Sequence, residues 1–336
     1  MNKEGAEETV QPDTPKPESL TGRDALVSAI TTFLAAGRDP RTLDLVRGAL
    51  EHEIDAAGPR ALLRLDKRLA HAGADWKYYR RDPLARRIHS FLADRILEPS
   101  SALFGIEHLL AVAGEPVVVV ANHLSYSDAN LFEVLLRRAG GTELADRLTV
   151  IAGPKVYSSL NRRFSSLCFG TIKTPQSSAL SSEDAVMNAR EVARAARRSI
   201  DIAHERLRLG EALLVFAEGT RSRTRELQPL LTGVTRYLDG PGTWVLPVGI
   251  IGTEALFPIG EEALHPVKAM ACVGRPIDAR TLRERAEHDR RLTMDVVGLA
   301  IAELLPEDYR GAYADDIPDL DRARQLLKGL SGSAER

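Results

Sequence analysis

Apolar positions along this chain follow two rhythms, and the change from one to the other falls near residue 100. Between residues 21 and 100 they recur every three or four residues in four stretches: "TGRDALVSAITTFLAAG", "RTLDLVRGALEHEIDAAG", "RALLRLDKRLAHAG" and "PLARRIHSFLADRILE". That period gathers apolar side chains on one face of an amphipathic helix. In the fourth stretch Leu84, Ile88, Phe91, Leu92 and Ile96 share such a face, and Pro83 fits a first-turn position, where no N–H is needed. The pattern predicts a small helical-bundle subdomain over 21–100, without a strand.

From about residue 101 the apolar runs shorten and alternate with amphipathic segments: "PVVVVA", "LTVIAG", "LCFGTIKT", "ALLVFAE", "TWVLPVGIIG" and "AMACVGRPI". Short runs rich in β-branched residues, separated by helical patterns, predict an α/β fold: a mixed, largely parallel sheet flanked by helices over 101–314. A C-terminal helix and tail are expected over 315–336. One long helix is expected between 182 and 209, opening at "SSED" and closing at Gly210. Its packing seam would be Val186, Ala189, Ala193, Ala196, Ile200, Ala203 and Leu207. Arg190, Arg194, Arg197 and Arg198 lie on its other face, either a solvated surface or an attraction for anionic lipid or an acidic carrier protein. The first 20 residues are acidic and proline-bearing with no apolar core, so they read as a disordered tail and not a signal peptide.

Composition narrows the class. Of 336 residues 44% are hydrophobic and 27% charged, with net charge -2, the balance of an ordinary globular protein and not of a general nucleic-acid binder. Two cysteines, Cys168 and Cys272, are too few for a disulfide framework or a zinc spacing and suit a reducing compartment. The apolar runs fall short of the roughly 20 residues that span a bilayer. A cytoplasmic protein, peripheral to the inner face of the membrane, is therefore expected. "DWKYYRRDPLARR" at 75–87 sets Trp76, Tyr78 and Tyr79 among five basic residues, a composition for an anionic membrane surface or for aromatic packing at a domain junction. His89 and His204 lie within predicted helices and are given no role.

Two polar turns carry the candidate chemistry, each where a predicted strand ends, the place where open α/β sheets bind ligands. The first is "NHLSYSD", with His123 and Asp128. A histidine titrates near neutral pH and serves as a general base, and a carboxylate on its far ring nitrogen would fix its tautomer. Asp128 is equally placed to cap the following helix. The second turn is "EGTRSR", Glu218 to Arg223, in which Gly219 lets the backbone approach a ligand and Arg221 and Arg223 offer planar cations for phosphate or carboxylate.

Together the two turns resemble the Asn-His-four-residues-Asp and Glu-Gly-Thr-Arg blocks of the glycerolipid acyltransferases, and "VLPVGI" at 245–250 resembles a later block of that family. The resemblance covers roughly residues 101–280, and the helical N-terminal part is similar to that of the soluble plastid-type glycerol-3-phosphate acyltransferases. It implies acyl transfer from an acyl carrier protein or coenzyme A thioester to glycerol 3-phosphate or 1-acylglycerol 3-phosphate (lysophosphatidate), within phospholipid biosynthesis. His123 would be the base and Asp128 its partner. Glu218, Gly219, Thr220, Arg221 and Arg223 would hold the acceptor's phosphate and glycerol, and Lys173 would stand in for the second block, with Thr174 where an arginine is often found. The resemblance implies no cofactor and no metal, and "GxSxG" is absent. Other acceptors (a lysophospholipid, dihydroxyacetone phosphate or a glycolipid) keep the same chemistry. A non-catalytic lipid- or anion-binding module would use the arginines alone.

Overall fold

The computed structural model of the chain describes residues 22–35, 40–175, 188–256 and 265–331. Four helices open it: α1 (Arg23–Ala35), α2 (Pro40–Ala57), α3 (Pro59–His71) and α4 (Pro83–Ile96), with a two-residue strand β1 (Tyr78–Tyr79) before the last. The three- and four-residue spacing is realised as burial of Leu26, Leu50, Ile54, Leu65, Leu69 and Ile88. Pro83 is the first residue of α4, and buried Asp82 caps it by accepting the N–H groups of Leu84 (2.9 Å) and Ala85 (3.4 Å).

The body follows: β2 (Ala102–Phe104), α5 (Ile106–Leu110), β3 (Val117–Ala121), α6 (Asp128–Arg138), α7 (Thr142–Arg147), β4 (Leu148–Ala152), α8 (Leu160–Ser166), β5 (Gly170–Lys173), α9 (Ala189–Arg208) and β6 (Ala212–Phe216). It closes with β7 (Trp244–Ile251), β8 (Met270–Val273), β9 (Ile277–Asp278), α10 (Ala279–Arg285), α11 (Arg290–Ala302) and α12 (Asp321–Ser331). The strands form one sheet in the order β1-β5-β4-β6-β3-β7-β8-β2, with β9 also paired to β7. The core of the sheet, β5 to β7, is parallel, and β1, β8 and β9 join antiparallel to their neighbours β5 and β7. The expected mixed, largely parallel sheet flanked by helices is the observed fold. β3 is buried at all five residues, as its run of valines requires for a strand covered on both faces. Pro247 sits inside β7 between the stretch paired with β9 and the stretch paired with β8, and its carbonyl accepts the Gly274 N–H at 2.8 Å. N–H and C=O of a strand residue point to the same neighbour, so proline's missing donor falls where the ladder is interrupted.

Three expectations change. The helical segment is not free of strand: β1 pairs with β5, and this close approach needs Gly170, because a Cβ there would lie 2.2 Å from Thr149 Oγ1 and 2.9 Å from the Tyr78 ring. The four helices therefore share a sheet with the body. The described part of α9 opens at Asn188, which caps it reciprocally with Glu191; the "SSED" opening and Val186 lie outside the described residues. The buried stripe of α9 is Ala195, Ser199, Ala203 and Leu207, not the seam through Ala193, which is exposed. Alanine marks no face strongly, and Ser199 is buried with its hydroxyl bonded to the Ala196 carbonyl and to Thr174. Arg190, Arg194, Arg197 and Arg198 are exposed as expected. The N-terminal 21 residues and the last five lie outside the described residues.

Candidate active site

β3 and β6 are parallel neighbours, so the turns that follow them emerge side by side at one edge of the sheet. Where β3 ends, the Asn122 side chain takes over its pairing with β7: its amide donates to the Ile250 carbonyl (2.9 Å) and accepts the Ile250 N–H (2.7 Å). The chain then turns away, and His123 stands at the head of a short loop that α6 closes at Asp128.

Asp128 is completely buried. Its Oδ2 lies 2.8 Å from His123 Nδ1 and accepts the N–H groups of Leu124 (2.7 Å) and Ser125 (2.9 Å), and its Oδ1 accepts the Thr253 hydroxyl at 2.5 Å. It is the first residue of α6, with Ser127 before it, so its backbone bonds go back to the His123 loop and not forward into the helix. A carboxylate that only accepts satisfies all four neighbours, which makes Nδ1 the donor and Nε2 the ring nitrogen with the lone pair. The ring stacks on Phe216, the last residue of β6, with centroids 4.3 Å apart. Among the described residues nothing bonds Nε2.

The second turn holds the first by its backbone. Glu218 is buried and accepts the His123 N–H (2.7 Å) with one oxygen and the Gln228 N–H (2.9 Å) with the other, while Ser222 N–H donates to the His123 carbonyl at 2.8 Å. Burial pushes the Glu218 carboxyl up to about 7 against the pull of these two N–H groups. Gly219 turns the chain at φ 74°, left-handed backbone that a side chain would strain. Thr220 and Arg223 are exposed at the mouth of the turn. The Arg221 guanidinium carbon lies 4.8 Å from the centre of the Tyr126 ring, in the loop between His123 and Asp128.

Lys173 stands elsewhere. It ends β5, with β4 and β6 between it and β3; its Nζ donates to the Gly73 carbonyl at 2.6 Å and lies over the Trp76 ring at 4.4 Å. Trp76, Tyr78 and Tyr79 are likewise engaged in the junction: Tyr79 packs on Tyr157, and the Tyr78 hydroxyl donates to Glu211. Of the two readings of 75–87, domain packing describes these aromatics. His89 and His204 each bond a backbone carbonyl, of Asn130 and Arg236. Burial raises both cysteine thiols, Cys168 most, away from nucleophilic thiolate.

Three residues at the site carry no motif. Thr253 comes from the turn after β7, a third polar strand end that "IIGTE" does signal once the other two are in hand. Tyr126 is inside the first turn. Arg162, on α8, brings its guanidinium carbon to 4.1 Å from the same Tyr126 ring, held by the Lys155 carbonyl (3.2 Å) and Ser158 hydroxyl (3.1 Å). Nothing in "LNRRF" distinguishes it from a solvated arginine. Arg162 and Arg221 thus share one aromatic ring, with guanidinium carbons no more than about 9 Å apart, and each offers a planar fork of the kind that binds phosphate.

Comparison with known proteins adds the following. No curated protein sequence matches the chain. Among solved structures it is similar to the 1-acyl-sn-glycerophosphate (LPA) acyltransferase PlsC from Thermotoga maritima, at 20% identity and a TM-score of 0.44, over 83% of this chain and 95% of that one. Residues 102–251 match the family model described as acyltransferase. That stretch, somewhat under half of the chain, contains both turns, and over it the chain is similar to an acyltransferase domain.

Proposed function

We propose that this protein transfers an acyl group from an acyl thioester to a hydroxyl of a phosphorylated glycerol, glycerol 3-phosphate or its 1-acyl derivative. The observation that carries the reading is the buried Asp128 on His123 Nδ1, with Nε2 unbonded among the described residues and two arginines gathered on Tyr126 of the same loop. In the proposed reaction Nε2 takes the acceptor's hydroxyl proton as its oxygen attacks the thioester carbonyl. The C–S bond of the tetrahedral intermediate then breaks, and the imidazolium returns the proton to the departing thiolate. A thiol of pKa about 8.5 leaves readily, so no covalent acyl-enzyme, metal or cofactor enters the scheme.

Arg221 and Arg162 would hold the acceptor's phosphate, with Arg223 and Thr220 at the rim of the same turn. Glu218 would position both the base and the turn instead of touching the acceptor, since its two oxygens are occupied by backbone N–H groups. Gly219 serves by its backbone angle, and Lys173 by anchoring the 73–76 loop. Much of the rate would come from holding hydroxyl and thioester together. Among the described residues no helix is long and apolar enough to cross a membrane; action at the inner membrane surface, where an acylated acceptor and product reside, is part of the proposal.

Thiol release from acyl-acyl carrier protein and acyl-coenzyme A, each with glycerol 3-phosphate and with 1-acylglycerol 3-phosphate, tests the reading. Turnover should require one such pair, and His123→Ala should lower kcat by about 10³-fold or more while acceptor affinity by calorimetry stays within twofold. Wild-type turnover in the His123→Ala protein would end the mechanism, and silence with all four pairs would end the substrate assignment.

A further inference from the structure

A second concentration of charge lies away from His123, along the β1 edge of the sheet. Two adjoining hollows of about 560 Å³ and about 500 Å³ share Arg64, Arg68, Tyr78 and Arg80 and form one groove between α3 and the β1–α4 segment. Arg60, Arg64, Lys67 and Arg68 line the α3 bank. Lys77, Arg80, Arg81 and Arg206 line the other.

Acidic groups do not balance this set. Arg64 and Arg68 share the single buried carboxylate of Asp82, at 3.1 and 3.2 Å. Lys77 pairs with Asp75, and Arg206 with Glu205 and Glu211. Among the described residues no carboxylate pairs with Arg60, Lys67, Arg80 or Arg81. Like charges crowded into a concavity repel one another and focus a positive potential, a cost that an anionic occupant would relieve.

The shape of the charge selects the occupant. On α3 the basic residues fall at 60, 64, 67 and 68, with His71 one turn on, a stripe about 16 Å long at 1.5 Å per residue. A nucleotide or one phosphate would use a compact cluster. A stripe repeating once per turn instead faces carboxylates that recur once per turn on an apposed helix. Leu63, 56% exposed and also lining the groove, offers an apolar contact that a hydrated lipid headgroup has no use for. A flat bilayer would meet only the rims of a concave groove, not Arg68 and Tyr78 within it.

We propose that this groove docks an acidic amphipathic helix of the protein that carries the acyl thioester. The inference rests on the donor class proposed above and selects a carrier protein over coenzyme A. One end of the groove, at His71 and Lys77, lies at the strand end where β5 finishes, since Lys173 N–H bonds the Lys77 carbonyl at 3.2 Å; this is the sheet edge from which the His123 turn also emerges. β1 is four strand positions from β3, about 19 Å across the sheet. A carrier seated there would present its thioester on a flexible arm of about that length.

The test is the triple variant Arg60→Glu, Lys67→Glu, Arg80→Glu, none of which contributes to an internal ion pair among the described residues. With acyl-acyl carrier protein as donor, KM should rise at least tenfold with kcat within twofold, and with acyl-coenzyme A neither should move. The wild-type KM for the carrier donor should climb with added NaCl and that of the variant should not. An equal rise with both donors would assign the groove to the nucleotide end of coenzyme A and overturn the proposal. So would an unchanged carrier KM accompanied by lost binding to phosphatidylglycerol vesicles. Thermal melting by circular dichroism controls for folding, and Lys67→Gln with Arg80→Gln should give a smaller shift in the same direction. If the wild-type protein turns over neither donor, the substrate assignment fails. Fluorescence anisotropy of labelled acyl carrier protein then still decides the groove: weaker binding to the triple variant supports it, and equal binding overturns it.

Discussion

The His123 loop and the α3 groove are both polar, yet they are built on opposite principles. At the loop each buried polar group has its complement: Asp128 accepts four bonds, Glu218 two, and the backbone N–H and C=O of His123 are both taken by the neighbouring turn. Among the described residues nothing bonds Nε2. In the groove four cations lack an internal carboxylate among the described residues, and the shared Asp82 holds two more in place. The first arrangement fixes a reactive atom, and the second holds unspent charge. Saturated networks resist substitution because a lone buried donor or acceptor costs its full desolvation. Surplus surface charge does not.

Asp128→Asn is the severest way to break the saturated side. The amide nitrogen would either face the His123, Leu124 and Ser125 donors or turn to the Thr253 hydroxyl, and in both orientations the charge that would stabilise the His123 imidazolium is lost. A fall in kcat of about 10²- to 10⁴-fold is expected, with a loss of about 1–3 kcal/mol of stability by urea titration. A variant with full activity and unchanged stability would show that the four bonds carry neither function nor fold.

Arg162→Ala sits between the two regimes, because Arg162 is ordered by a tyrosine ring and a carbonyl and, among the described residues, not by a carboxylate. KM for the phosphorylated acceptor should rise about tenfold, near 1.4 kcal/mol, with kcat and melting temperature little changed. A KM within twofold of wild type would remove Arg162 from the site.

An effect on stability alone, with no change of side chain, concerns the proton on Glu218. Its carboxyl is raised to about 7 by burial, from 4.5. The folded state therefore holds a proton that the unfolded state has released between those values, and stability falls as pH rises through that window and levels off above it. Between pH 5.5 and 7.5 the carboxyl accounts for about 2 kcal/mol of decline. Unfolding free energies at the two pH values should show this decline in the wild-type protein and not in Glu218→Gln, and parallel slopes would refute it.

How much of this was legible in sequence follows from the range of the interactions. β3 and β6 were readable because valine- and leucine-rich runs of five residues are a local pattern, and His123 and Asp128 because the contact closes within one loop. Arg162 was not, since it reaches the site from a distant helix and no spacing announces it, and Thr253 is signalled only as a third polar strand end once the other two are in hand. Lys173 is placed with the acceptor only by resemblance to a family block, and the sheet order puts β4 and β6 between it and β3. β1 escaped notice because two residues have no period, and only the missing Cβ of Gly170 makes room for it.

The clamp made by Glu218 and Ser222 has a consequence for anyone who would retarget this protein. The turn that carries Arg221 cannot be exchanged alone, because its backbone is also the mould in which His123 is cast. Loops 122–128 and 216–228 form a single transplantable cassette, and a chimera that takes one without the other exchanges specificity and activity together.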